Sequence, residues 1–234
     1  MTSRQATVEV KVWGEYALFT RPDFSVERVS YLVMTPSAAR GVLEAIFWQP
    51  EFRYEVQRIG VLKLGTQVTL LRNELSSRQG DNPVIVEQVR QQRMSLVLKD
   101  VAYRIQADMV LRPWVTDPIY KYSDQFRRRV ENGRCFHRPY LGTREFAASF
   151  GPPTPDDIPD PGLNLDLGLI LLDIAYVQDA TRPEMAFIRH GPDGPRTVEG
   201  YAHALFFPAH IEAGWLTVPR ERYEELRRLE GEHV

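Results

Sequence analysis

The residues best equipped for chemistry in this 234-residue chain lie between Lys121 and Phe150, KYSDQFRRRVENGRCFHRPYLGTREFAASF. Seven cations (Lys121, Arg127, Arg128, Arg129, Arg134, Arg138 and Arg144) stand there against three anions (Asp124, Glu131 and Glu145). That is a local excess of four in a chain of formal net charge −2. Guanidinium groups interleaved with Tyr122, Phe126, Phe136 and Tyr140 suit a polyanion that also offers flat bases to stack on. The same charges fit a solvated helix face followed by an ordinary strand, and composition alone favours that plainer reading. Breaking a ribose phosphodiester without a metal needs three groups: a base for the 2′-hydroxyl, a cation for the pentacoordinate phosphate, and an acid for the leaving 5′-oxygen. Lys121 and Tyr122 would bring an ammonium and a phenol to a helix start, where backbone amides already favour phosphate. Read without further context, they are a solvated lysine and a half-buried aromatic.

Other chemistry has little support. His137, His190, His203, His210 and His233 show neither HExxH nor paired Cys/His spacing, and there is no P-loop, GxGxxG or GxSxG. No cofactor and no metal are expected. Cys135 is the single cysteine, so an intrachain disulfide is ruled out and a reducing, cytoplasmic setting is expected. No apolar run reaches eighteen residues, and the opening MTSRQATVEVKVWG lacks the apolar core of a signal peptide, so no membrane contact is expected.

The elements that must position these residues follow from periodicity. Thr7–Trp13 alternates as a strand, with Val8, Val10 and Val12 on one face; Gly14–Met34 reads as an aromatic and Arg-rich loop. Thr35-Pro36-Ser37 caps a helix that Pro50 stops. Glu51–Leu64 alternates again, and 67–98 reads as a long hairpin excursion with its turn at Gln79–Pro83. Lys99–Leu111 is a strand and Tyr120–Glu131 a helix ending at Asn132-Gly133. Residues 134–150 close with a short extended element. This order predicts an α+β fold. Residues 1–150 form a ferredoxin-like (RNA-recognition-type βαββαβ) domain with a protruding hairpin. The Pro-rich stretch 151–162 is a linker or an ordered loop. Strands at Leu165–Val177, Met185–Arg189, Tyr201–His210 and Trp215–Val218 then make 151–234 a small antiparallel β-sheet domain, with a solvated helix over Arg220–Glu230. Trp13, Trp48 and Trp114 are read as core residues.

Four blocks carry a family resemblance: VKVWGEYALFTRPDFSVERVSYLVMTPSAARGVLEAIFWQPEF, RNELSSR, FRRRVENGRCFHRPYLGTREF and GWLTVP. They resemble the CRISPR-associated Cas-five family of the type I-C (Dvulg) subtype, over nearly the whole chain. The resemblance implies a ferredoxin-like domain with a protruding hairpin and a smaller C-terminal β domain. It also implies a metal-independent endoribonuclease that binds the repeat hairpin of precursor CRISPR RNA and cuts at its base, leaving a 2′,3′-cyclic phosphate. Such a protein then stays on the 5′ handle beside the other subunits of the type I-C interference complex; double-stranded DNA is a further ligand compatible with the basic surface.

The family's proposed catalytic set is a Tyr in the first helix and a Lys-His pair at the start of the second. Here only Lys121 matches. Tyr122 stands in the His position, and Phe47 in the Tyr position. Two repairs are open: Tyr122 acting with Lys121, or His137 supplying the imidazole from a neighbouring strand. Candidate RNA contacts are Tyr16, Arg21 and Arg28 after the first strand, Arg72 and Arg78 on the excursion, and Arg127, Arg128, Arg134, Arg138 and Arg144 in the basic stretch. An alternative reading keeps the RNA binding and drops the cutting: a subunit that caps the 5′ handle.

Overall fold

Alternation of valines with polar residues makes β1 (Gln5–Ala17) a half-buried strand, and Val8, Val10 and Val12 are sealed from solvent. The computed structural model describes residues 3–24, 27–75, 83 and 85–232. The short β2 (Arg28–Val29) precedes α1 (Pro36–Ile46), where the Thr35 hydroxyl accepts from the Ala38 amide at 3.2 Å and Pro36 takes the first turn. Helix α1 turns Ala39, Val42, Leu43 and Ile46 inward. Strands β3 (Phe52–Lys63) and β4 (Thr66–Leu75) follow, then the four-residue helix α2 (Val86–Val89) and the long β5 (Arg90–Leu111). Helix α3 (Tyr120–Glu131) ends at Asn132, with Gly133 in the left-handed region at φ 61°. After β6 (Ser149–Gly151) come β7 (Leu165–Gln178), β8 (Met185–Gly191), β9 (Gly194–Glu212), β10 (Trp215–Thr217) and α4 (Arg220–Leu229).

The architecture is a mixed one of helices on a mostly antiparallel sheet. The strands pair in the order β6–β1–β5–β3–β10–β9–β7, with β2 and β4 on β5 and β8 on β9. Among the described residues only β2 runs parallel to its neighbour. Val10 faces Ile105 and Tyr54 faces Met109 across the strands, so one face of the sheet is continuously apolar; α1 and α3 close over it. Thr66 pairs with Lys99 through to Leu75 with Arg90, so β4 and the first half of β5 form a hairpin. Of its expected turn at Gln79–Pro83, residues 79–82 lie outside the described residues. Three residues of β10 join the C-terminal strands to β3, Trp215 opposite Gly60. Among the described residues no helix is long and apolar enough to cross a membrane.

Several local expectations need correction. The stretch read as a loop from Gly14 is still strand to Ala17, because Tyr16 and Ala17 keep their pairing with Lys99 and Leu98. Trp13 is 40% exposed and Trp48 42%, so neither is core. Trp13 shares the outer face of β1 with Lys11, whose ammonium sits 5.5 Å from its ring; Phe47 takes the inward place beside Trp48. His137 lies on a loop, not a strand. The amides of Phe136 and His137 both donate to the Ala45 carbonyl at the end of α1, which leaves no partner strand for them. The stretch 151–162 is an ordered loop, its buried Asp157 accepting from the Thr154 amide and pairing with Lys11 at 2.5 Å.

The segment between α3 and β6 depends on one glycine. Gly142 has φ 87°, and a Cβ there would fall 1.9 Å from the Leu18 carbonyl oxygen, beside the Leu18 N–H···O=C Leu141 bond of 3.0 Å. Gly142→Ala is expected to cost at least about 1–2 kcal/mol from the backbone alone. Thermal denaturation should show a midpoint lowered by at least roughly 2–8 °C.

Candidate active site

Lys121 and Tyr122 open α3, and Asp117 in the preceding loop joins them. The Lys121 ammonium reaches Asp117 Oδ2 at 2.5 Å, and the Tyr122 hydroxyl donates to the same oxygen at 3.3 Å. The Tyr122 ring is buried, tilted against Phe52 at 5.4 Å, while the Lys121 side chain is half exposed. The hydrogen bond from Lys121 holds the Asp117 carboxyl below its ordinary range, and in return Asp117 raises Lys121. Burial, and then the negative charges of Glu51 and Asp117, push the Tyr122 phenol up. Tyr122 therefore keeps its proton at neutral pH: it can donate one, and it is not a base. The amides of residues 121–123 donate to the Pro118 and Ile119 carbonyls at 3.1 Å, so this helix start offers less bare amide to a phosphate than its position suggests.

Two carboxylates here were missed in the sequence. Asp117 carries a legible signal, being four residues before Lys121 in the spacing that pairs charges along a helix. Glu51 carries none. Its Oε2 is buried without a hydrogen-bond partner, and its charge acts on both Lys121 and Tyr122.

Phe47 and His137 lie differently. Phe47 caps α1 and is buried against Phe52 at 5.5 Å; its carbonyl accepts from the Tyr54 hydroxyl at 2.7 Å, and the Arg129 guanidinium covers its ring at 5.1 Å. No ionisable group occupies that position. His137 is exposed near the end of α1, where Arg129 also donates to the Ile46 carbonyl at 3.0 Å. Lys121 is in the first turn of α3 and Arg129 in the last, a separation of roughly 12 Å along the axis. No contact between described residues brings the His137 imidazole to Lys121.

The candidate RNA contacts form two groups. Arg28, Arg72 and Arg93 converge on Glu74 at 3.4, 3.4 and 3.7 Å. Arg72 also reaches Glu145 and lies 5.7 Å from the Phe146 ring, which Tyr16 also meets at 5.7 Å. The hairpin, the end of β1 and the loop carrying Arg144 thus share one surface. Arg21 is set beside it, paired with Asp23 at 2.7 Å. The second group follows α3. Arg127 pairs with Asp124 at 3.0 Å and Arg128 reaches the Asp124 carbonyl, while Arg134 and Arg138 are exposed without an ion pair to any described residue, as is Arg144. Arg78 lies outside the described residues.

The fold and this Lys-centred site define an α+β protein with a mostly antiparallel sheet and a basic surface, and comparison with known proteins gives the family. Residues 7–219 match the family described as CRISPR-associated protein (Cas_Cas5). A CRISPR pre-crRNA endoribonuclease Cas5d from Thermus thermophilus is 63% identical over 229 residues, 98% of each chain. One of the same name from Mannheimia succiniciproducens is 36% identical over 243 residues, 94% of this chain and 98% of that one. Two crystal structures share the fold with a TM-score of 0.63 over 95% of this chain and 96% of theirs: a CRISPR-associated protein at 21% identity, and a functionally uncharacterized protein from Streptococcus mutans at 20%. The chain belongs to the Cas5d family of CRISPR-associated proteins.

Proposed function

We propose that this protein is the endoribonuclease that binds the repeat hairpin of precursor CRISPR RNA, cuts at its base, and stays on the 5′ handle as a subunit of the type I-C interference complex in the cytoplasm. The observation that carries this reading is the 63% identity, along almost the whole of both chains, to a protein named for that activity. The order β6–β1–β5–β3, with α1 and α3 on one face, supports a ferredoxin-like βαββαβ domain over 1–150 carrying the hairpin. Residues 151–234 are then the smaller β domain.

In the reaction the 2′-oxygen attacks phosphorus, the bond from phosphorus to the 5′-oxygen breaks, and a 2′,3′-cyclic phosphate remains. Lys121 stabilises the negative charge that gathers on the non-bridging oxygens. Tyr122, protonated and anchored on Asp117, is placed to give its proton to the leaving 5′-oxygen. The proton of the 2′-hydroxyl goes to a carboxylate, Asp117 or Glu51, since Tyr122 is unfit for that task. The contact shared by Lys121 and Tyr122 on Asp117 favours this assignment over His137, which would have to be carried to Lys121 from the far end of α3.

The reading is tested by incubating the cognate repeat hairpin with the purified protein in EDTA. A single cut at the hairpin base with a cyclic phosphate end is expected. Tight binding with no cut establishes the second reading, a handle-capping subunit. That reading draws on Phe47, which offers no proton, and on a Tyr122 that cannot act as a base.

A further inference from the structure

Between the turn joining α1 to β3 and the β8–β9 hairpin lies a cleft of about 790 Å³. One wall is Trp48, 42% exposed, with the His190 ring edge-on to it at 5.4 Å. Tyr176 and Phe187, in contact at 5.5 Å, line the other side. Arg53, Arg112 and Arg189 are three of the five arginines that line the cleft, with Glu230 and Glu232 among its carboxylates. Arg53 pairs with Glu55 at 2.8 Å, and Arg189 donates to the Tyr176 carbonyl at 3.0 Å while its Nε is buried without a partner.

Arg53 and Arg112 share one further anion. The Glu232 carboxylate sits between them, one oxygen on each. Glu232 follows Gly231, which ends the last helix with φ 70°, so this seat is filled by a residue outside every helix and strand. Burial, and then the neighbouring Arg53, push the Arg112 guanidinium down to about 10.

We propose that this cleft binds a nucleotide of single-stranded RNA, its phosphate replacing the Glu232 carboxylate between Arg53 and Arg112 and its base lying on Trp48. The inference rests on the RNA-processing reading above and adds to it a seat for the strand beside the cut. Two guanidinium groups presented to the two oxygens of one carboxylate match two oxygens of a phosphodiester. An exposed indole within the same cleft supplies the stacking surface that single strands use without sequence preference. The cleft shares a buried wall with the Lys121 site: Phe52 lines the cleft and packs on its far side against Tyr122, the neighbour of Lys121. Glu232 then acts as a resident competitor that the strand displaces.

The test is the affinity of a fluorescein-labelled hexauridylate, which has no hairpin, for the full chain at fixed salt. Glu232→Ala and Glu232→Gln are each expected to tighten binding about three- to tenfold. Trp48→Ala is expected to weaken it about fivefold or more, as loss of one stacked base does, and to do so in the Glu232→Ala background as well. Trp48 is on the surface, so its removal should leave the melting temperature unchanged. Unaltered affinity in both Glu232 variants, or indifference to Trp48, overturns the proposal. Hairpin cutting that depends on Lys121 alongside unaltered hexauridylate affinities would sink the cleft and keep the enzyme. Tightening by Glu232→Ala in a protein that never cuts would do the reverse.

Discussion

Lys121→Ala is expected to slow cleavage of the repeat hairpin by about 10²–10³-fold, the effect of removing a group aimed at developing charge, while hairpin affinity changes little. Lys121 is one cation among many on this surface, so its share of ground-state binding is small. Its share of the transition state is expected to be large, because it is joined to the Tyr122 hydroxyl through Asp117. The variant also leaves Asp117 with the Tyr122 hydroxyl but without its cation, a carboxylate charge that Lys121 no longer offsets. Single-turnover rates beside equilibrium binding of a non-cleavable hairpin separate the two effects. Tyr122→Phe keeps the buried ring and removes only the proton, and should cost about 10² in rate. His137→Ala should leave the rate nearly unchanged. Since Asp117 raises Lys121, the ammonium persists through neutral pH, and its loss should slow the reaction only as pH climbs past the ordinary lysine range. Full activity in Lys121→Ala would remove this residue from the mechanism.

The parts of this site that follow local rules are legible in the sequence. Val8, Val10 and Val12 announce β1, Thr35-Pro36 the start of α1, and Asn132-Gly133 the end of α3, since caps and alternation act over a few residues. What is not legible depends on distant partners. β10 has only three residues, and its pairing with β3 lines up Trp215 with Gly60 across a separation no periodicity encodes. Glu51 gives no sign in the sequence that one of its oxygens will be buried beside Lys121. Trp48 was expected inside because indole is usually buried, yet it follows Phe47 at the C-terminal cap of α1, and only one of two adjacent rings can turn into the core. Nor does anything in the spacing of Arg53, Arg112 and Glu232 show that they meet.

Asp173 is the intermediate case, and it carries the largest expected effect on stability. A carboxylate in the apolar run Leu169–Val177 demands a partner, but the sequence does not say which. The partner is Arg40 on α1: Nε and Nη2 reach the two oxygens of Asp173 at 2.7 and 2.8 Å, and Glu44 holds Nη1 at 2.7 Å. Asp173 is only 2% exposed, and its Oδ1 also accepts the Ile174 amide at 2.8 Å. Asp173→Ala strands a guanidinium that Glu44 satisfies on one side only, and is expected to cost about 3 kcal/mol. In a chain of this size that is a fall of roughly 6–12 °C in the thermal midpoint. Arg40→Met combined with Asp173→Leu should recover much of the loss, because the cost arises from the unpaired charge and not from the missing attraction. The pair also ties α1 to β7, and the end of α1 sets Phe47 and Trp48.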